Sequence, residues 1–168
     1  MGRREAPRVA PSSENPGQAD FPNGSRRTPL SLYLDTSALV KLYLDEEGSD
    51  LIRQSVHDDS VVTTSLVAYV EARVAFNRHR LKLSRPEYRR IVADLDADWD
   101  RYLRIDVNPG LARVAGGLAE RHGLRAYDAI HLASALEAGN RLGALPRFAC
   151  WDRALNAAAI REGLPILR

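Results

Sequence analysis

Apolar patterning is missing over residues 1–30 and starts abruptly at Leu30-Ser-Leu-Tyr-Leu-Asp35. That short run reads as a buried strand, and Ala38-Leu-Val-Lys-Leu-Tyr-Leu44 directly behind it reads as a helix. Residues 49–58 predict a second helix, and the β-branched Ser60-Val-Val-Thr-Thr64 a short strand. Long helices are predicted over 65–79 and 85–102, with Pro86 suited to the first turn of the second. A strand over 103–107 follows, then helices over 109–122 and 126–138 split by Gly123. The chain closes with a strand over 147–150, a helix over 153–162 and a short strand at Pro165-Ile-Leu167. Short strands alternating with helices specify an α/β domain with a parallel sheet over residues 31–168.

Residues 1–30 hold five of the nine prolines (Pro7, Pro11, Pro16, Pro22, Pro29) among Ser, Asn and Gly. Such a segment cannot bury enough apolar surface to offset its ordering entropy, so it is predicted to be a disordered tail. Arg3 and Arg4 are not followed by an apolar core, so no signal peptide is expected. The longest apolar runs fall far short of the roughly 18–20 residues of a membrane span. One cysteine excludes an internal disulfide and a cysteine-built zinc site, and makes a reducing, cytoplasmic setting the default.

Charge changes the picture only when it is divided. The chain has 24 basic and 22 acidic residues, a net charge of +2. The tail carries five arginines against three acids, so the domain is neutral. Net charge by itself therefore does not point to nucleic acid.

Placement of the acids is more telling. Glu71 on its helix has Val67, Ala68, Val74 and Ala75 as neighbours three and four positions away, all apolar. A carboxylate on such a stripe must be paired, protonated or bound to a cation, and Arg73 or Arg78 at the stripe's edge is the plain alternative. Asp35 ends the first strand, where it either caps the next helix or faces a ligand beyond the strand's carboxyl end, with Ser37 two residues on. Asp128 lies in the first turn of an apolar helix, where the helix dipole favours an acid. Asp152 follows a strand and precedes a helix in the same way. Four carboxylates in one cleft cannot all stay ionised without a cation. Mg²⁺, or Mn²⁺ in its place, suits such oxygen ligands.

These residues carry a resemblance. Leu34-Asp35-Thr36-Ser37-Ala38-Leu39-Val40-Lys41-Leu42-Tyr43 resembles the opening motif of PIN-domain proteins, VapC-type toxins in particular. Glu71 in Thr64-Ser-Leu-Val-Ala-Tyr-Val-Glu71 fits their second acidic position, and Tyr127-Asp128-Ala-Ile-His-Leu-Ala133 is similar to their third motif. Cys150-Trp151-Asp152-Arg153-Ala-Leu-Asn156, running on through Gly163-Leu-Pro165, resembles the last, with Cys150 where a threonine is usual. The resemblance spans about residues 31–168. It implies a PIN-like three-layer domain with a central parallel five-stranded sheet flanked by helices. It further implies a Mg²⁺-dependent ribonuclease, the toxin of a type II toxin–antitoxin pair. Asp35, Glu71, Asp128 and Asp152 would form its catalytic metal site, with Asp35 and Asp128 foremost as ligands and Ser37 in support. A cognate antitoxin protein and a homodimer would be its protein partners.

The neutral domain also separates its charges. Arg73, Arg78, Arg80, Lys82, Arg85, Arg89 and Arg90 face only Glu87 within residues 73–90. The cluster starts on Glu71's own helix, a layout that would lead an RNA backbone toward the acids. Arg73, Arg78, Arg80, Lys82 and Arg85 are the RNA-binding candidates; a solvated helical hairpin or an antitoxin groove is the alternative. Asp94-x-Asp96-x-Asp98 mimics a calcium loop, but Trp99 stands where glycine is required. His131 reads as a packed or hydrogen-bonded helix residue, and Tyr127 and Trp151 as core or interface residues. An inert RNA-binding module remains open, as does a phosphatase for small substrates, although Ser37 denies the latter its Asp-x-Asp pair.

Overall fold

The computed structural model describes residues 31–56 and 61–167, and within them four parallel strands form a single sheet. They are β1 (Ser31–Leu34), β2 (Val61–Ser65), β3 (Leu103–Ile105) and β4 (Arg147–Ala149). Their order is β3-β2-β1-β4. Leu32 of β1 pairs with Val62 on one side and Arg147 on the other. The strand is therefore interior, and all four of its residues are buried.

Alternation along the strands sorts side chains to two faces. Leu32, Leu34 and Ala149 pack with Leu39, Ile52, Phe76, Ile91 and Leu95. Those partners come from α1 (Thr36–Leu39), α2 (Ser49–Ser55), α3 (Val67–His79) and α4 (Arg85–Trp99). Tyr33 and Phe148 point the other way, stacked with ring centroids 5.4 Å apart. They pack with Leu118, Leu132 and Leu155 from α5 (Pro109–His122), α6 (Ala126–Leu142) and α7 (Arg153–Arg161). The result is three layers, helix on sheet on helix.

The predicted five-stranded sheet is corrected to four. At the expected fifth strand only Ile166 bridges, to Phe148. Pro165 has no N–H to donate to a ladder, and Gly163 at φ 84° turns the chain just before it. The strand expected over 103–107 stops at Ile105, because Asn108 leaves the sheet to cap α5, accepting from Leu111 N–H at 2.9 Å. The helix expected over 38–44 divides into α1 and a 3₁₀ turn over Val40–Leu42. The tail over 1–30, the end of the second helix at 57–58 and the strand start at Ser60 lie outside the described residues. No helix among the described residues is long and apolar enough to cross a membrane.

Candidate active site

A cleft of about 740 Å³ opens beyond the carboxyl ends of β1 and β4. Asp35, Ser37, Glu71, Asp128 and Asp152 all line it. Open parallel sheets place ligands at this edge, because the strands end there and helix N-termini begin.

Capping and site-building coincide at two of the acids. Asp35 Oδ1 accepts from Ala38 N–H at 2.9 Å, capping α1, and from the Ser37 hydroxyl at 2.7 Å. Asp152 Oδ1 caps α7 by accepting from Leu155 N–H at 2.9 Å, while its Oδ2 stands 3.4 Å from the Arg125 guanidinium. Ser37 Oγ in turn accepts from Trp151 N–H at 2.8 Å. That hydroxyl ties the β4–α7 junction to Asp35. Cys150, standing where a threonine is usual in the motif it resembles, uses its sulfur to accept from Asp152 N–H at 3.1 Å, and burial pushes its thiol pKa up.

Glu71 has neither Arg73 nor Arg78 as its partner. Its Oε2 accepts from the Thr36 hydroxyl at 2.6 Å and from His131 Nε2 at 2.8 Å. His131 is buried, and its Nδ1 lies 3.0 Å from the Tyr33 hydroxyl. Because Glu71 only accepts, the ring N–H at Nε2 donates to it. Partial burial alone would raise the Glu71 carboxyl. The hydrogen bonds from His131 and Thr36, with the charges of His131 and Arg125, outweigh it and hold the pKa below the usual range. Asp35 moves the opposite way: burial lifts its pKa despite the charge of His131 and the bond from Ser37.

Asp128 is held by Arg125, whose Nε donates to its Oδ2 at 2.7 Å. Arg125 thus spans Asp128 and Asp152, and the bond and charge of Asp128 raise its own pKa. Among the described residues no three or more His, Cys, Asp or Glu side chains converge closely enough to hold a metal ion. The donors facing the cleft are nonetheless hard oxygens, and the guanidinium between two of them is 78% exposed at its side chain. That chemistry fits a divalent cation of the Mg²⁺ type.

The basic candidates divide. Arg78 lines the acidic cleft itself. Arg80 and Arg85, with Arg89 and Tyr88, line a second hollow of about 870 Å³ between α3 and α4. Lys82 is exposed on the intervening 3₁₀ turn. Arg73 instead donates to the Tyr69 hydroxyl at 2.8 Å and stands 3.9 Å from Asp96. Tyr127 and Trp151 are not core: both line the cleft, 56% and 38% exposed. Thr36 and Arg125 carry no motif signal beyond adjacency to the acids. His131 offered only its position one turn after Asp128.

The PIN domain family model matches residues 32–142. Ribonuclease VapC49 of Mycobacterium tuberculosis strain H37Rv is 34% identical over 140 residues, covering 79% of this chain and 91% of that protein. The crystal structure of FitAcB from Neisseria gonorrhoeae superposes with a TM-score of 0.60 at 16% identity, covering 82% of this chain and 96% of the other. A toxin–antitoxin complex from Klebsiella pneumoniae gives a TM-score of 0.52 at 16% identity, covering 72% and 86%. With its α/β fold and acids at one sheet edge, the chain belongs to the PIN-domain family, among its VapC-type members.

Proposed function

We propose that this protein is an endoribonuclease of the VapC type, the toxin of a toxin–antitoxin pair, and that it hydrolyses RNA phosphodiester bonds with the help of Mg²⁺ or Mn²⁺. The observation that carries the reading is the gathering of Asp35, Glu71, Asp128 and Asp152 on one cleft. The relatives' names support ribonuclease activity, and the Klebsiella neighbour, titled a toxin–antitoxin complex, supports an antitoxin partner. The resemblance adds a homodimer and a cytoplasmic setting.

Asp35 and Asp128 would be the foremost ligands of the ion, joined by Glu71 and Asp152. When bound, the cation supplies activated water and stabilises charge on the phosphoryl group. The chain's own part is positioning. Ser37 orients Asp35 through a 2.7 Å bond. His131 and Thr36 keep Glu71 ionised and fix which way its oxygens point. Arg78 in the cleft, and Arg80, Lys82 and Arg85 beyond it, attract the RNA backbone. Arg73 contributes to that field, although Tyr69 and Asp96 restrain its side chain.

The test is incubation of purified protein with an unpaired RNA in Mg²⁺, in Mn²⁺ and in EDTA, alongside induced expression in a bacterial host. Cleavage that EDTA abolishes, and growth arrest that the Asp35→Ala form does not cause, are expected. RNA binding without turnover, unaffected by EDTA, would mark an inert binding module instead. Hydrolysis of a small phosphate ester with none of RNA would mark a phosphatase.

A further inference from the structure

Tyr127 and Trp151 each directly precede an acid of the site, Asp128 or Asp152, and Arg125 links those two acids. Trp151 is exposed yet held in place. Its backbone N–H donates to Ser37. The Lys41 ammonium lies over the indole, 4.6 Å from the ring centroid and within cation–π range. Lys41 is itself buried at 6% exposure, with Glu46 as its ion-pair partner at 3.1 Å. Gly48 approaches so closely that a Cβ there would lie 2.3 Å from Trp151 Cζ2. A buried cation and a bare stretch of backbone therefore fix the indole, and what remains open stands on the cleft wall.

A pre-oriented aromatic face beside a phosphodiester site is the setting in which unpaired bases stack. Neighbouring Cα atoms lie about 3.8 Å apart, so Trp151 is within one nucleotide's reach of Asp152. Charge in the same cleft selects the occupant. Arg78 presents a guanidinium fork, which matches phosphate. An apolar protein segment would leave that charge unmatched.

We infer that Trp151 is a stacking platform for an unpaired nucleobase adjacent to the scissile phosphate. The inference rests on the ribonuclease reading and adds the residue that would hold an unpaired base beside the cut. A base inside a duplex is covered on both faces and cannot use the platform. Stacking accepts any base, so Trp151 contributes affinity with little sequence preference.

The test uses the full chain in Mg²⁺ with Asp35→Asn, to keep RNA uncut, and Trp99→Phe, to leave Trp151 the single tryptophan of the two. A short unstructured RNA is expected to change Trp151 emission in a saturable way, and the matched duplex is not. In the Asp35→Asn background, Trp151→Ala is expected to weaken single-strand binding roughly tenfold to a hundredfold, and Trp151→Phe to recover most of it. Equal affinity of Trp151→Ala, with no change in Trp151 emission, overturns the inference while the ribonuclease reading stands. So does a Trp151→Ala effect confined to antitoxin binding. If the parent protein neither binds nor cuts RNA, the ribonuclease reading fails and this inference falls with it.

Discussion

His131 Nε2 stands 2.8 Å from Glu71 Oε2, joining residues 60 positions apart at the mouth of the sheet. Tyr33 completes the line from β1, its hydroxyl 3.0 Å from the other ring nitrogen. Removing the ring with His131→Ala leaves a buried tyrosine hydroxyl unpaired and opens a void. Unfolding in urea should show a loss of about 2–4 kcal/mol. Tyr33→Phe removes the orphaned hydroxyl, so the double variant should lose less than the two single losses together.

A second prediction concerns the domain's far side. Glu162 accepts from His122 at 2.7 Å and Arg121 at 2.8 Å, and these bonds hold its pKa below the usual range against partial burial. The folded pKa lies below the unfolded one, so this stabilisation is present above the unfolded value, near 4.3, and disappears as pH falls through the folded value. Glu162→Gln should cost about 1–3 kcal/mol at pH 7. The difference from the parent should shrink toward zero in acid, as followed by urea denaturation across pH.

How much of this was legible in the sequence depends on the range of the interaction. Asp35 and Asp152 were readable because capping is local and a strand end is local. One oxygen of each caps a helix, as the modest reading expects, and both residues also line the cleft. Glu71's isolation on an apolar stripe was readable by helical periodicity, but its partners were not. Thr36 and His131 reach it from 35 and 60 residues away, which no helix spacing encodes. The missing fifth strand follows from Pro165, whose lack of an N–H outweighs the apolar pattern around it. Trp151 reads from sequence as a core or interface residue; the structure puts it on the cleft wall, and the Lys41 and Gly48 that hold it come from a different part of the chain, which no local pattern encodes.

Arg125 offers a third test. It is the cation between Asp128 and Asp152, at 2.7 and 3.4 Å, on an exposed side chain. On the proposed function, an incoming divalent ion would compete with it for those oxygens. Arg125→Ala should therefore bind Mn²⁺ roughly two- to fivefold more tightly, the modest factor reflecting a solvent-exposed pair. Electron paramagnetic resonance titration of free Mn²⁺ reads this directly. Weaker binding in the variant would mean that Arg125 organises the acids rather than competing for them.

The basic hairpin gives a fourth. Arg80 and Arg85 line the hollow beyond the cleft, away from the acids. Replacing both with glutamine should raise KM for RNA and leave kcat nearly unchanged, because the proposed contacts would be to the backbone before and during the reaction alike. The slope of log affinity against log salt should fall by roughly one per lost phosphate contact. An unchanged slope would assign this face to something other than RNA.

The central claim is that four carboxylates act together on a phosphodiester bond. Single-turnover cleavage of an unpaired RNA in Mg²⁺ tests it most directly, comparing the parent with Asp35→Ala, Asp128→Ala and the pair combined. Each single variant should lose at least about a hundredfold in rate, and the double variant should lose little more than either, because groups acting as a unit are strongly non-additive. Full activity in both single variants would contradict the account.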